Sequence, residues 1–215
     1  MKKLNVHPPS FDAQNCASLA VAVLAGGASS RFGADKALVR ICGDGPTLLE
    51  RVVDAGRNVS SNLFIVGHER YAPYVSGVHI VPDDFPGEGP LAGIRSALGY
   101  TSAHSLLVLA CDAPCLSIPL LGWMASIATT ADAVVPRTSD GRWQPMPAIY
   151  RRTALPAIER SLQKGNRAIA SVFASLNVRE ITEDELRGYD PELNSLISLN
   201  SPDQLERARA CLSCN

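Results

Sequence analysis

The sequence lacks several features that would assign it to a class at once. Its formal net charge is −1 over 215 residues, so there is no excess of positive charge for nucleic acid or an anionic membrane. No apolar run reaches the ~20 residues that a membrane-spanning helix needs. The opening residues, MKKLNVHPPSFDAQN, lack the apolar core of a secretory signal. We therefore expect a cytoplasmic protein that binds neither nucleic acid nor membranes.

Motifs built on cysteine, histidine or serine are also missing. Six cysteines are too sparse for a disulfide scaffold, which favours thiols. The four histidines have no ligand spacing, and no serine stands in a G-x-S-x-G context. Cys111, Cys115, Cys211 and Cys214 could form a zinc site, but their spacing matches no common ligand pattern. The favoured interpretation is separate thiols, and the sequence assigns no role to Cys211 or Cys214.

What the sequence does contain is a regular alternation of strand-like and helix-like segments. Apolar runs such as 19–24 and 105–110 are typical of strands buried on both faces, and apolar residues within 47–60 recur at helical spacing. The alternation predicts a three-layer α/β/α fold around a mostly parallel, Rossmann-like sheet. We expect a mobile leader over 1–17 and one domain over 18–212. The predicted strands are 19–24, 62–67, 78–81, 105–110, 132–136, 146–150, 178–181 and 196–199, and the predicted helices include 47–60 and one starting at Ser201-Pro202-Asp203.

The loop after the first strand reads LAGGASSRFGADK over residues 24–36. Adjacent glycines let a ligand approach the main chain, and free N–H groups in such a loop form an anion-binding concavity. Arg31 and Lys36 add positive charge, so a phosphate chain is the expected ligand. The loop is neither G-x-G-x-x-G nor a Walker A motif. The alternative is a tight strand-to-helix turn with solvated charges.

Three later loops add acidic and proline-rich segments. Asp83 and Asp84 follow a short strand and precede the segment GPLAG at 89–93; the alternative to a ligand site is a polar surface loop. Asp112 follows an apolar strand, at the sheet edge where ligands collect. A carboxylate there can bind Mg²⁺ together with substrate phosphates, or it can cap the next helix. Residues 141–150, GRWQPMPAIY, suggest a pocket wall or a proline-braced turn.

These motifs resemble those of the nucleotidyltransferases related to molybdenum cofactor guanylyltransferase. The pattern L-A-G-G-x-S-x-R-x-G-x-D-K at 24–36 matches the family signature except at Phe32, where methionine is usual. Residues 89–93 and the Asp-x-Pro at 112–114 match the next two blocks. The resemblance spans residues 19–210. It implies a loop that wraps the triphosphate of GTP, with adjacent glycines that favour guanine over cytosine.

The resemblance also implies a reaction and roles for individual residues. GMP would pass from GTP to the phosphate of molybdopterin or its molybdenum form, and pyrophosphate would leave. Arg31, Lys36 and Asp112 would be catalytic, and Asp112 would hold Mg²⁺ as cofactor. The nucleotide would be bound by Leu24, Ala25, Gly26, Gly27, Lys36, Gly67, Asp83 and Asp112. The acceptor substrate, which receives the nucleotide, would be bound by Gln144, Pro145, Arg167 and Asn200.

One block departs from the family pattern. Where the family often reads Asn-x-Asn-Thr-Pro, this chain has Ser198 and Asn200 followed by Ser-Pro. Serine offers one donor where an amide offers both donor and acceptor, so the acceptor substrate is less closely specified than the nucleotide. The open alternatives are a cytidylyltransferase of the same cofactor, a nucleotidyltransferase for a sugar or polyol phosphate, and a non-catalytic nucleotide-binding protein. Transient contact with enzymes that deliver or receive the cofactor is also expected.

Overall fold

A computed structural model of the chain describes residues 19–26, 35–127 and 130–213. These residues form a seven-stranded sheet with helices on both faces. The strands are β1 (Leu19–Leu24), β2 (Leu63–Val66), β3 (His79–Val81), β4 (Ser105–Ala110), β5 (Ala133–Pro136), β6 (Ala148–Arg151) and β7 (Val178–Ile181). The helices are α1 (Leu48–Arg57), α2 (Pro90–Tyr100), α3 (Ile118–Ser126), α4 (Leu155–Gln163), α5 (Ala170–Phe173), α6 (Glu183–Arg187) and α7 (Pro202–Cys211), with 3₁₀ turns at Lys36–Leu38, Glu69–Tyr74, Arg152–Ala154 and Asn194–Leu196.

The strand order is β3-β2-β1-β4-β6-β5-β7, and only β6 runs against its neighbours. The pairs β1–β2, β1–β4, β2–β3 and β5–β7 are parallel. The carboxyl ends of β1 to β5 and of β7 therefore meet at one edge of the sheet, and β6 starts there. The expected three-layer fold with a mostly parallel sheet is confirmed.

Burial on both faces explains the continuous apolar runs. In β1, Val21 and Val23 face one core, and Ala20 and Ala22 face the other; all four are fully buried. Side chains that alternate along a strand point to opposite faces, so a strand covered on both sides has no polar position. The first core lies between the sheet and α1 and α3, and the second lies between the sheet and α2 and α4.

Most predicted strands lie where expected. β1, β4 and β7 have the predicted bounds, β3 and β5 start one residue later than predicted, and β2 is one residue shorter than predicted at each end. β6 starts at Ala148 rather than at 146, because Pro147 has no N–H to donate to a strand ladder. The last helix starts at Pro202 with Ser201 as its N-cap, as predicted.

The strand predicted over 196–199 is wrong. That segment leaves the 3₁₀ turn at Asn194–Leu196 and makes a single backbone contact with the loop after β4, from the N–H of Leu199 to the carbonyl of Asp112 at 3.0 Å. Ile197 and Leu199 are buried in a small third cluster with Ile41 and Leu48, and Leu196 packs against the first core. Burial without a neighbouring strand accounts for the strand-like pattern.

Several other predictions concern the ends of the chain and the cysteines. The segment 1–17, predicted to be a leader, lies outside the described residues together with residue 18, as do Gly27, Arg31 and Cys214. Cys42 is disulfide-bonded, so the expectation of separate thiols is wrong at this position. Within the described ranges, no three His, Cys, Asp or Glu side chains form a metal-binding group. No helix in the same ranges is long and apolar enough to cross a membrane.

Candidate active site

The loops at the carboxyl edge of the sheet surround a cavity of about 270 Å³. Gly26 follows β1, Asp83 follows β3 and Asp112 follows β4, and all three line the cavity. Leu24 and Met146 also line it, as does the segment around Gly89 that leads into α2. The sheet thus brings together residues that are far apart in sequence, as expected for the ligand site of a parallel α/β sheet.

A connected polar network joins Lys36 and Asp112 at this edge. Nζ of Lys36 lies 2.6 Å from Oδ2 of Asp112, and their side chains are only 14% and 20% exposed. The same ammonium donates to Oδ1 of Asn200 at 2.8 Å. Ser198 donates its hydroxyl to Oδ2 of Asp112 at 2.9 Å and accepts from Nδ2 of Asn200 at 2.9 Å. Four residues from three distant segments therefore form one cluster.

The two oxygens of Asp112 have different surroundings. Oδ2 accepts hydrogen bonds from Lys36 and Ser198. In the part of the chain that the structure describes, no donor reaches Oδ1. One carboxylate with an available hard oxygen, beside room for phosphates and water, fits Mg²⁺, which usually takes one or two carboxylates and completes its shell with substrate oxygens and water. Asp112 is therefore the residue that could hold a divalent cation here.

Asp83 lies on the other side of Gly26. Its Oδ1 accepts from the N–H of Phe85 at 3.1 Å and from Oγ of Ser96 at 3.2 Å. Its Oδ2 lies so close to Gly26 that a Cβ added there would be 3.1 Å away. A side chain at position 26 would crowd this carboxylate, which explains the glycine on grounds of space.

A second polar cluster holds the residue before Lys36. Asp35 caps the turn Lys36–Leu38 by accepting from the N–H of Ala37 at 3.2 Å, and its Oδ1 also accepts the hydroxyl of Tyr71 at 3.1 Å. Arg70 pairs with its Oδ2 at 2.7 Å. Burial raises the pKa of Tyr71, so the hydroxyl stays protonated and remains a donor. No sequence motif pointed to Arg70 or Tyr71.

Cys111 adjoins Asp112 and lines the cavity. Burial, followed by the negative charge of Asp112, raises the pKa of its thiol to about 12. At neutral pH the sulfur is therefore protonated, and a protonated thiol is a poor nucleophile. The Cys111 side chain therefore lines the cavity as an uncharged group.

Two further predicted nucleotide-binding residues, Ala25 and Gly67, are adjacent in sequence to residues that line the cavity. Ala25 is buried, and its N–H donates to the carbonyl of Val66 at 2.8 Å. Gly67 packs against it so closely that an added Cβ would lie 3.2 Å from the carbonyl oxygen of Ala25. Neither residue is among the described lining residues.

The predicted acceptor-binding residues are more dispersed. Gln144 and Pro145 immediately precede Met146, and the N–H of Gln144 donates to the carbonyl of Pro136 at 2.8 Å. Arg167 is exposed and pairs with Glu88 at 3.1 Å, in the loop whose glycines line the cavity. Asn200 reaches the site through Lys36 and Ser198. Of these four residues, only Asn200 is joined by a described hydrogen bond to the cluster of Lys36, Asp112 and Ser198.

Comparison with known proteins identifies the family. Residues 21–180 match the MobA-like NTP transferase domain. The chain belongs to this family. It is thus an NTP transferase, and the resemblance drawn from the glycine loop and the aspartate motifs is confirmed.

Relatives in the MobA-like family match along most of their length. Molybdenum cofactor guanylyltransferase of Desulfosudis oleivorans is 34% identical over 191 residues, which cover 88% of this chain and 94% of that protein. A probable molybdenum cofactor guanylyltransferase of Chloroflexus aggregans is 34% identical over 193 residues, 88% of this chain and 93% of that one. The crystal structure of molybdopterin-guanine dinucleotide biosynthesis protein A from Archaeoglobus fulgidus has a TM-score of 0.77 and 31% identity, and the match covers 90% of this chain and 98% of that one.

Proposed function

We propose that this protein transfers GMP from GTP to the phosphate of molybdopterin, or of its molybdenum form, and releases pyrophosphate. Relatives that carry the name molybdenum cofactor guanylyltransferase support this over 88% of the chain. The structural observation that carries the proposal is the 2.6 Å contact between Lys36 and Asp112 at the edge of the cavity. A cation and a carboxylate held together there suit a reaction on a phosphate chain.

The reaction needs positioning and neutralisation of charge more than it needs a base. A phosphate acceptor is already ionised at neutral pH, so its oxygen can attack the α-phosphorus of GTP directly. The bond from that phosphorus to the bridging oxygen breaks, and the electron pair leaves with pyrophosphate. Lys36 would stabilise the negative charge that develops on the phosphates, and we assign the same role to Arg31. Its fixed partners let Lys36 do so without reorganisation.

Asp112 would hold Mg²⁺ through Oδ1, the oxygen that accepts from no donor in the described ranges. When bound, the ion would neutralise charge on the α-phosphate and on the incoming phosphate. Lys36 and Ser198 donate hydrogen bonds to the opposite oxygen, Oδ2, and so keep the carboxylate in one orientation. Asp83, the second acidic residue among the described lining residues, accepts hydrogen bonds at Oδ1 from Phe85 and Ser96, and we assign it a different role.

Asp83 would bind the base. It follows β3, whereas Asp112 follows β4, and the carboxylate of Asp83 lies beside Gly26 after β1. In this proposal the phosphates of the nucleotide lie at Asp112 and its base lies at Asp83, in the cavity that both residues and Gly26 line. A carboxylate only accepts hydrogen bonds, and guanine presents two donors side by side, at N1 and at the 2-amino group. Adenine and cytosine present one amino group beside an unprotonated nitrogen.

The acceptor substrate would bind on the side of Met146. Arg167 would contact the acceptor phosphate, and to do so it must leave Glu88, its partner at 3.1 Å. Gln144, Pro145 and Asn200 complete the proposed acceptor side. The cytoplasmic location and the transient contacts with enzymes that deliver or receive the cofactor remain predictions.

The proposal is tested by nucleotide binding and by turnover. With Mg²⁺ present, GTP should raise the melting temperature more than CTP, ATP or UTP does, because a ligand that binds only the native state stabilises it. Turnover with molybdopterin and GTP should give pyrophosphate. Asp112→Asn should reduce turnover by about 100-fold or more, whereas Asp44→Asn, which removes an exposed carboxylate elsewhere, should not. A preference for CTP would instead indicate cytidylyl transfer, and no shift with any nucleotide would contradict the proposal.

A further inference from the structure

We infer that Ser96 is a positioning residue for base selection: it holds the carboxylate of Asp83 so that Oδ2 faces Gly26 and the cavity. The inference rests on the proposed function, in which Asp83 binds the base of the nucleotide. Ser96 itself does not line the cavity, and no sequence motif singled it out.

Ser96 is a buried polar group with three polar neighbours. It lies on α2, and only 3% of its surface is exposed. Its Oγ accepts from the N–H of Asp84 at 3.1 Å and lies 3.2 Å from Oδ1 of Asp83 and 3.1 Å from the carbonyl of Ala92. A hydroxyl has one hydrogen, and an ionised carboxylate is a stronger acceptor than a carbonyl. Ser96 thus binds both the backbone and the side chain of the loop after β3.

The two carboxylate oxygens of Asp83 have different surroundings. Oδ1 takes two donors from within the protein, Ser96 and the N–H of Phe85. Oδ2 points at Gly26, and no donor from the described residues reaches it. The carboxylate is therefore fixed at one oxygen, and its other oxygen is presented to the ligand.

A fixed carboxylate discriminates between bases more strongly than a rotating one. Oriented correctly, it accepts from the donors of guanine and repels the unprotonated ring nitrogen of adenine or cytosine. A site that is built to hydrogen-bond one ligand rejects an analogue that lacks the matching donor. Without the Ser96 hydroxyl, Asp83 keeps only the N–H of Phe85, and its side chain can turn about χ2. GTP then loses affinity, whereas ATP, which never used this carboxylate well, loses none.

The test compares nucleotide affinities of the full chain with Mg²⁺, measured by displacement of fluorescent mant-GTP. Ser96→Ala should weaken GTP binding about tenfold, the effect of losing one hydrogen bond to a charged group, and leave ATP binding unchanged. The matched control is Ser60→Ala. Ser60 is also 3% exposed and makes two backbone hydrogen bonds, to Leu19 and Asn62, but it lies at the opposite edge of the sheet. Ser60→Ala should lower the melting temperature and leave the ratio of GTP affinity to ATP affinity unchanged.

The outcomes separate this inference from the proposed function. If Asp83→Asn abolishes the preference for GTP while Ser96→Ala keeps it, the positioning role of Ser96 is overturned and the role of Asp83 stands. If Asp83→Asn keeps the preference, the base-binding part of the proposed function fails. An equal loss of preference in Ser60→Ala would also overturn the inference. Should Ser96→Ala fail to fold, Ser96→Cys replaces the hydroxyl with a weak donor of similar size, and an unchanged ratio in that variant overturns the inference.

Discussion

Tyr71 donates its hydroxyl to Oδ1 of Asp35 at 3.1 Å, and this contact ties the 3₁₀ turn after β2 to the residue that precedes Lys36. Tyr71 is 1% exposed and does not line the cavity. We therefore expect Tyr71, which lies outside the cavity, to help orient the turn that carries Lys36.

Tyr71→Phe should affect both stability and nucleotide binding. The ring remains, so packing is conserved, but Asp35 loses a donor at a partly buried position. We expect the free energy of unfolding to fall by about 1 kcal/mol and GTP to bind several-fold more weakly. Chemical denaturation and a GTP titration measure the two effects. Tyr74→Phe, in the same turn but 39% exposed, is the control; equal behaviour of the two variants would contradict this prediction.

Lys36→Met should reduce turnover by about 100-fold, because it removes a preorganised positive charge next to the proposed phosphate site. The methionine side chain has a similar length, so the loss is one of charge rather than of volume. Initial rates of pyrophosphate release measure the effect, and circular dichroism checks the fold. The control is Lys164→Met, at an exposed lysine that is the C-cap residue after α4. Wild-type rates in Lys36→Met would show that this lysine has no catalytic role.

Ser198→Ala should raise the Mg²⁺ concentration needed for GTP binding. The variant removes one of the two donors to Oδ2 of Asp112, so the carboxylate is held less firmly. We expect a shift of about threefold to tenfold in the Mg²⁺ midpoint, which corresponds to about 1 kcal/mol. Ser198→Asn, with the residue usual in the family, should keep the midpoint because an amide can also donate. Identical titrations for the wild type and Ser198→Ala would refute the orienting role.

Stability at acid pH should depend on Glu185. Hydrogen bonds from Arg179 lower the pKa of this carboxyl to about 2 from the model-compound value of 4.5, and Thr182 adds to the effect. A lowered pKa in the folded state gives stability that is present above about pH 4.5 and lost as the pH falls toward 2. The side chain is 34% exposed, so solvent screening limits the contribution to about 1 kcal/mol.

Glu185→Gln should therefore destabilise the protein at pH 7 and make little difference near pH 2. Glutamine preserves the capping box of α6, so the change isolates the ion pair. Urea unfolding at a series of pH values checks this, with Glu206→Gln on α7 as an exposed control. The same loss of stability at pH 7 and at pH 2 would rule out the ion pair as its origin.

The sequence predicts those parts of the fold and site that depend on local patterns. The apolar runs of β1 and β4 and the glycine and aspartate motifs after them are each contained in a few residues. The direction of β6 is not local, because it depends on pairing with β4 and β5. Ser198 was expected to weaken recognition of the acceptor, whereas the structure directs its hydroxyl to Asp112.

The residues that sequence reasoning missed act at a distance along the chain. Ser96 contacts a residue 13 positions away, and Tyr71 contacts one 36 positions away. Neither has a neighbouring sequence pattern that indicates its partner, since a single serine or tyrosine in an apolar segment fits many environments. Only the packing of α2 and of the turn Glu69–Tyr74 against the loops defines these pairs.

The reversed direction of β6 determines where the segment between β5 and β6 lies. Because β5 ends and β6 begins at the cavity edge, residues 137–147 leave this edge and return to it, and Met146 reaches the cavity. It is the one lining residue in the described ranges that follows Asp112 in the chain. The segment is anchored at both ends in buried strands, β5 and β6. If the acceptor substrate binds on the side of Met146, as we propose, sequence changes in this segment would change the acceptor while the loops after β1 to β4 stay the same.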